Sequence, residues 1–198
     1  MTDGGRLFKD LFGDDEDDDE NSTTSNDVSK GVGNWRPHPS SETTAIEGIP
    51  GLTLHSNYIP EALLEELAQT SRSWFGTLNM PHLRNQAMFF GNFPTCVEKL
   101  ASICKPLVLA QIPQQEPIFN QSIANYFIPG QGLAFHVDLM KQFEDGIIVA
   151  NVVGTCSLQF RRSCKCQPGG YGLCKCGREG VDDGVKTVFL RPADVVCM

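Results

Sequence analysis

The 198-residue chain reads as an α+β protein, and three observations say so. Two stretches with helical apolar spacing lie between residues 60 and 106. After Gln121 the apolar period shortens toward alternation. The six apolar runs that follow are short and separated by Gly and Pro. Helices followed by a run of strands fit an α+β architecture with the strands in a sandwich or barrel.

The elements follow in chain order. Residues 1–45 form a disordered acidic and polar tail in this reading: seven consecutive acids run from Asp14 to Glu20, and a Ser/Thr/Asn-rich stretch follows. Such a segment self-repels and has little apolar surface to bury. Ahead of it, Leu7, Phe8, Leu11 and Phe12 sit at helical spacing, either as incidental hydrophobes or as a short docking motif. The folded domain is read as 46–198. A short strand is predicted at 51–55. Pro60 and Glu61 then open a helix whose buried stripe is Leu63, Leu64, Leu67, Ala68 and Phe75, with Trp74 on the same side. A second helix is predicted from about Pro94 to Lys105, with Val97, Leu100, Ala101 and Cys104 on one face and Pro106 as its stop. Strands are predicted at 123–128, 133–137, 147–153, 157–161, 186–190 and 194–197.

Charge and cysteine content narrow the function classes. The net charge of −8 belongs to the tail, where residues 1–45 carry eleven acids against four bases; residues 46–198 carry thirteen against twelve. Residues 161–191 hold seven bases and three acids, so the low isoelectric point does not exclude a nucleic-acid partner. No apolar run reaches the roughly 18–20 residues that span a bilayer, and the N-terminus shows no secretory pattern. Eight cysteines in that setting predict reduced thiols and a cytoplasmic or nuclear location. Cys96, Cys104, Cys156 and Cys197 lie in apolar contexts and read as core residues.

The segment 125–138 carries the chemistry. On a strand, residues i and i+2 project to one face, so His136 and Asp138 can offer an imidazole nitrogen and a carboxylate oxygen to one cation. That mixed set suits non-haem Fe(II), which needs a second His and leaves positions open for co-substrate and oxygen. Taken alone, H-x-D is common, and a His hydrogen-bonded to a nearby carboxylate is the plain alternative.

The wider pattern is Asn125, Phe127, Pro129, Gly130, Gly132, Leu133, His136 and Asp138, then Phe143, Asp145 and Ile147, then Phe160 and Arg161. This stretch, 121–162, resembles the AlkB family of Fe(II)- and 2-oxoglutarate-dependent dioxygenases, and residues 84–89 resemble the strand that precedes that family's core. The resemblance covers about 50–198. It implies a double-stranded β-helix (jelly roll) with N-terminal helices packed on it, incomplete at its C-terminus. It also implies that His136 and Asp138 are iron ligands, and that Asn125 and Phe127 lie at the 2-oxoglutarate site. Phe127 stands where the family often has Tyr; the lost hydroxyl contact is worth roughly 1.5–3 kcal/mol. The implied reaction is oxidation of an N-alkyl carbon, commonly on DNA or RNA, with release of an aldehyde and conversion of 2-oxoglutarate to succinate.

The family completes its site with a second iron-binding His and an Arg for the co-substrate's far carboxylate. The four histidines here are His38, His55, His82 and His136, and none follows Asp138. The chain is therefore expected to be a truncated form of a longer enzyme, or else a protein that has lost catalysis, and to be inactive as it stands. The flanks of His55 and His82, a strand end and a loop, speak against either as a substitute ligand.

Residues 163–184 read as an inserted Cys-rich loop. Cys164, Cys166, Cys174 and Cys176 form two C-x-C pairs seven residues apart, which suit a structural zinc or reduced thiols on a Gly/Pro turn. Arg161, Arg162, Lys165, Lys175 and Arg178 are candidate phosphate contacts there, or solvated loop cations. The rival to the enzyme is a non-catalytic jelly-roll interaction module that uses the tail and the zinc-binding or redox cysteine loop as contact elements.

Overall fold

The computed structural model describes residues 35–75, 85–113, 119–138, 146–161, 163–167, 170–173 and 184–198. They belong to one compact unit spanning 33–198. Leu7, Phe8, Leu11, Phe12 and the acidic run lie outside the described residues. The architecture is mixed α+β. Among the described residues the strands form one four-stranded and three two-stranded antiparallel sheets, accompanied by two α-helices, with no closed barrel.

Regular structure starts before Ile46, inside the segment read as tail. Strand β1 (Glu42–Ala45) pairs antiparallel with β2 (Thr53–Ser56), Thr43 lying opposite His55. Every residue of β1 is exposed, so no apolar alternation marks it in the sequence; its backbone ladder holds it. Upstream, Trp35 packs against the core with the Lys99 ammonium 5.3 Å from its ring centroid.

Helix α1 (Glu61–Ser71) begins directly after Pro60, with Glu61 in its first turn and Leu63 and Leu67 buried. It gives way at once to a 3-10 turn, Arg72–Phe75. Trp74 and Phe75 thus belong to that turn and not to the helix. From there Trp74 meets Phe89 edge-on, the ring centroids 5.1 Å apart.

Helix α2 (Thr95–Gln111) does not stop at Pro106 but runs through it. Proline removes the N–H that would bond the Ser102 carbonyl. Both Ser102 and Pro106 lie on the exposed face, where water can serve that oxygen. One residue on, the Tyr58 hydroxyl donates to the Ile103 carbonyl at 2.8 Å. Beyond the proline, Val108 is 1 % exposed and anchors the last turns.

The sheet order places the C-terminal strand in the middle. Strand β10 (Val195–Cys197) lies between β2 and β5 (Ile148–Ala150), antiparallel to both. All three residues of β10 are fully buried, because its two faces meet different layers. Val195 joins Ile59, Leu63, Leu67, Val97 and Ile103 on the helical side. Val196 joins Leu52, Val188 and Leu190 on the other. That second layer is the ribbon of β6 (Cys156–Phe160) and β9 (Lys186–Leu190), with Leu158 opposite Val188. Each such fully buried aliphatic side chain contributes about 1.5–3 kcal/mol. Cys96, Cys104 and Cys197 are buried as the sequence suggests, but Cys156 is exposed at the start of β6. On that ribbon it is Leu158 and Phe160 that turn inward, and Cys156 falls outside the packed stretch.

His55 is a buried polar residue of β2, 6 % exposed. Its Nδ1 lies 2.9 Å from the Thr43 hydroxyl and its Nε2 3.0 Å from the Thr53 hydroxyl. Both ring nitrogens are thus taken within the sheet, and neither is left for a metal. Burial lowers the imidazole pKa below its usual 6.5. The fold therefore favours neutral His55, and the unfolded chain binds the proton more readily. This contribution to stability is complete above about pH 6.5 and is lost as the pH falls through the folded-state value. The urea midpoint of the wild-type chain is expected to drop more between pH 7 and pH 5 than that of His55→Gln; equal drops would refute this account.

Candidate metal centre

The ribbon of β3 (Gln86–Phe90) and β4 (Gln121–Asn125) leads into the site. Its two faces differ. Ala87, Phe89, Ser122 and Ala124 are half-buried, while Gln86, Met88, Phe90, Ile123 and Asn125 are exposed. After β4 the chain reverses at Pro129–Gly130. The Gln131 N–H donates to the Ile128 carbonyl at 2.9 Å, and Gly130 has φ +88°. Proline second and a positive-φ glycine third is the type II turn arrangement.

The returning segment, 131–138, was expected to contain a strand at 133–137 and carries no strand ladder. Leu133, Phe135 and Val137 alternate as a strand would, yet they are 60, 42 and 44 % exposed. Alternation records which side each residue takes; a ladder also needs a partner strand, and none pairs here among the described residues.

The two candidate ligands nonetheless come together. His136 Nε2 stands 3.5 Å from Asp138 Oδ1, with the side chains 57 and 52 % exposed. The other imidazole nitrogen, Nδ1, lies 2.8 Å from the Ala134 carbonyl, which can only accept, so Nδ1 carries the proton. In the neutral ring the lone pair is then on Nε2, the nitrogen facing the carboxylate. A gap of 3.5 Å is long for a hydrogen bond. It is close to the roughly 3.0–3.4 Å between neighbouring ligand atoms that each sit about 2.1 Å from one cation. The same separation is that of a His–carboxylate ion pair, the plain alternative. An imidazole nitrogen and a carboxylate oxygen form a donor set suited to Fe(II).

Among the described residues no group of three His, Cys, Asp or Glu side chains converges on one point, so the pair stands without a third protein ligand there. His82 lies outside the described residues. Asn125 is at the exposed end of β4, where its Oδ1 accepts from Gln86 Nε2 at 2.9 Å. Sequence reasoning gave Gln86 no role; the signal was the matched pattern of polar and apolar residues, Gln86-Met88-Phe90 facing Gln121-Ile123-Asn125. Phe127 is 37 % exposed just ahead of the turn.

Of the Cys-rich loop, the backbone forms a hairpin, β7 (Ser163–Gln167) with β8 (Gly170–Leu173), in which Cys164 lies opposite Gly172. Cys164, Lys165 and Cys166 are on β7; Cys174, Lys175, Cys176, Arg178 and Arg162 lie outside the described residues, as do Phe143 and Asp145. Arg161 directly follows β6 and is half-buried. No helix among the described residues is long and apolar enough to cross a membrane.

No family model, no curated protein and no solved structure matches the chain.

Proposed function

We propose that the chain carries part of the metal and co-substrate site of an Fe(II)- and 2-oxoglutarate-dependent dioxygenase of AlkB type. The reaction in this reading is oxidation of N-alkyl groups on DNA or RNA. The observation that carries this reading is the convergence of His136 Nε2 and Asp138 Oδ1, with Nδ1 tied to the Ala134 carbonyl. His136 and Asp138 would hold the Fe(II), which would supply redox and Lewis-acid chemistry there. The protein's residues supply geometry. Ala134 fixes the ring tautomer, His136 presents a neutral lone pair and Asp138 brings the negative charge. Asn125 offers an amide to the co-substrate, and Phe127 gives an apolar wall without a hydroxyl.

The strand pairing supports the jelly-roll part of the reading. β5 pairs with β10, β6 with β9 inside that pair, and β7 with β8 inside that again. An antiparallel ribbon closed in this nested order is what winds into a jelly roll. The seven bases among residues 161–191 support a polyanionic substrate.

With two protein ligands among the described residues, the pair is expected to bind metal weakly. The test is thermal melting with Mn(II) as a redox-stable stand-in. Mn(II) and 2-oxoglutarate together are expected to raise the melting temperature above either alone, by linkage to the folded state. No shift at millimolar concentrations would overturn the assignment.

A further inference from the structure

We infer that the outward face of the β6–β9 ribbon is a platform for single-stranded nucleic acid, with Phe189 as its stacking ring. The two faces of this ribbon differ. Leu158, Val188 and Leu190 pack inward on the second core layer. Ser157, Gln159, Thr187 and Phe189 alternate with them and are all exposed. Phe189 is 75 % exposed, more than any other large apolar residue among those described. Its register partner is Ser157, whose side chain is too short to cover a ring, and Thr187 lies opposite Gln159. A flat apolar ring is thus left open amid side chains that donate and accept hydrogen bonds. Arg191 follows two residues after Phe189 and is exposed too.

Charge decides between occupants. Residues 146–178 include no Asp or Glu and five bases. On β9 and the stretch after it, Lys186 and Arg191 stand against a single acid, Asp194. That carboxylate is buried, and its oxygens accept from the Asn57 and Arg191 N–H groups at 2.9 and 2.8 Å. The ribbon therefore carries positive charge in a chain whose net charge is −8. An apolar partner would bury Ser157, Gln159 and Thr187 without hydrogen-bond partners, which costs free energy. A single strand meets every group on the face: phosphate for Arg191, base edges for the amide and hydroxyls, a π-face for Phe189. In a duplex the π-faces are already stacked on their neighbours, so the strand that fits is single.

The test is fluorescence anisotropy of a labelled oligothymidine with the full chain, in the absence of metal. Phe189→Ala and Phe189→Leu are both expected to weaken binding about five- to hundredfold, because leucine restores bulk but no π-face. Arg191→Gln should lower the slope of log affinity against log salt by about 0.7, the share of one phosphate on a single strand. Phe90→Ala removes a ring on β3 that is 62 % exposed and should bind as wild type does. Urea midpoints of the Phe189 variants should match wild type, since the ring packs on little. Binding that survives Phe189→Ala, or that falls as far in Phe90→Ala, overturns the inference. So does equal affinity for a duplex of the same length, or no binding at low salt. No metal enters this measurement, so the platform and the dioxygenase reading stand or fall separately.

Discussion

Replacing either His136 or Asp138 by Ala is expected to weaken Mn(II) binding at least about tenfold and to abolish the extra thermal shift given by 2-oxoglutarate. The size follows from the ligand count. Among the described residues this pair alone offers ligands, so removal of one leaves a single attachment point there, which competes poorly with water for a divalent ion. Asp138→Asn separates charge from shape: it keeps the side chain's size and one oxygen but loses the negative charge, and should fall close to the alanine variant. Neither residue is packed, both side chains being more than half exposed, so the metal-free variants should unfold within about 0.5 kcal/mol of wild type. That combination distinguishes a cation site from a hydrogen-bonded His–carboxylate pair. If the two side chains only bonded one another, the variants would bind Mn(II) as wild type does. Calorimetric titration with Mn(II), alongside urea unfolding without metal, gives both numbers.

What the sequence made legible divides along physical lines. Strands with an apolar partner face could be read. β9 falls at 186–190 as expected, and β10 and β6 are each within a residue or so at both ends, because Val188, Leu190, Val195 and Val196 are buried and their spacing shows it. Elements that bury no apolar side chain could not be read: β1, with sequence Glu-Thr-Thr-Ala, is exposed throughout and announces nothing. The converse failure is 133–137, where alternation is present and the ladder is not. Pro106 shows a third limit. A proline's effect on a helix depends on whether its face is wet, and here Ser102 and Pro106 are exposed while Val108 beyond them is buried. The site followed the same rule. The i, i+2 spacing of His136 and Asp138 sufficed to bring them to one side without a strand, whereas the Gln86–Asn125 bond joins residues thirty-nine apart and needed the β3–β4 register.

The site segment's downstream anchor carries the largest expected effect on stability. Gly146 precedes β5 with φ +99°, a region that side chains rarely adopt. A Cβ added there would fall 2.7 Å from Val108 Cγ1 and 3.1 Å from Ile112 Cδ1, both on the last stretch of α2 and just beyond it. The close approach and the positive φ are separate demands, and only glycine meets both. Gly146→Ala is expected to destabilise the fold by roughly 2–5 kcal/mol, from backbone strain and overpacking together. In a chain of this size that lowers the melting temperature on the order of 10 °C. Val108→Ala opens space beside the new methyl but cannot relax the backbone. In the double variant the two losses should therefore sum to less than their separate values, with a residual deficit from φ. Full additivity would mean that Gly146 is required for its conformation alone, and unchanged stability would mean that neither its conformation nor its contact with α2 demands glycine. The Ile147 N–H donates to the Met198 carbonyl at 2.8 Å and Met198 returns the bond at 3.0 Å, so β5 is locked to β10 immediately after this glycine. The chain that leaves Asp138 must reach this point to enter the sheet. Gly146→Ala is thus expected to weaken Mn(II) binding as well as stability, and a variant that lost stability but bound Mn(II) like wild type would show that the His136–Asp138 pair is positioned by its own segment and not by the sheet.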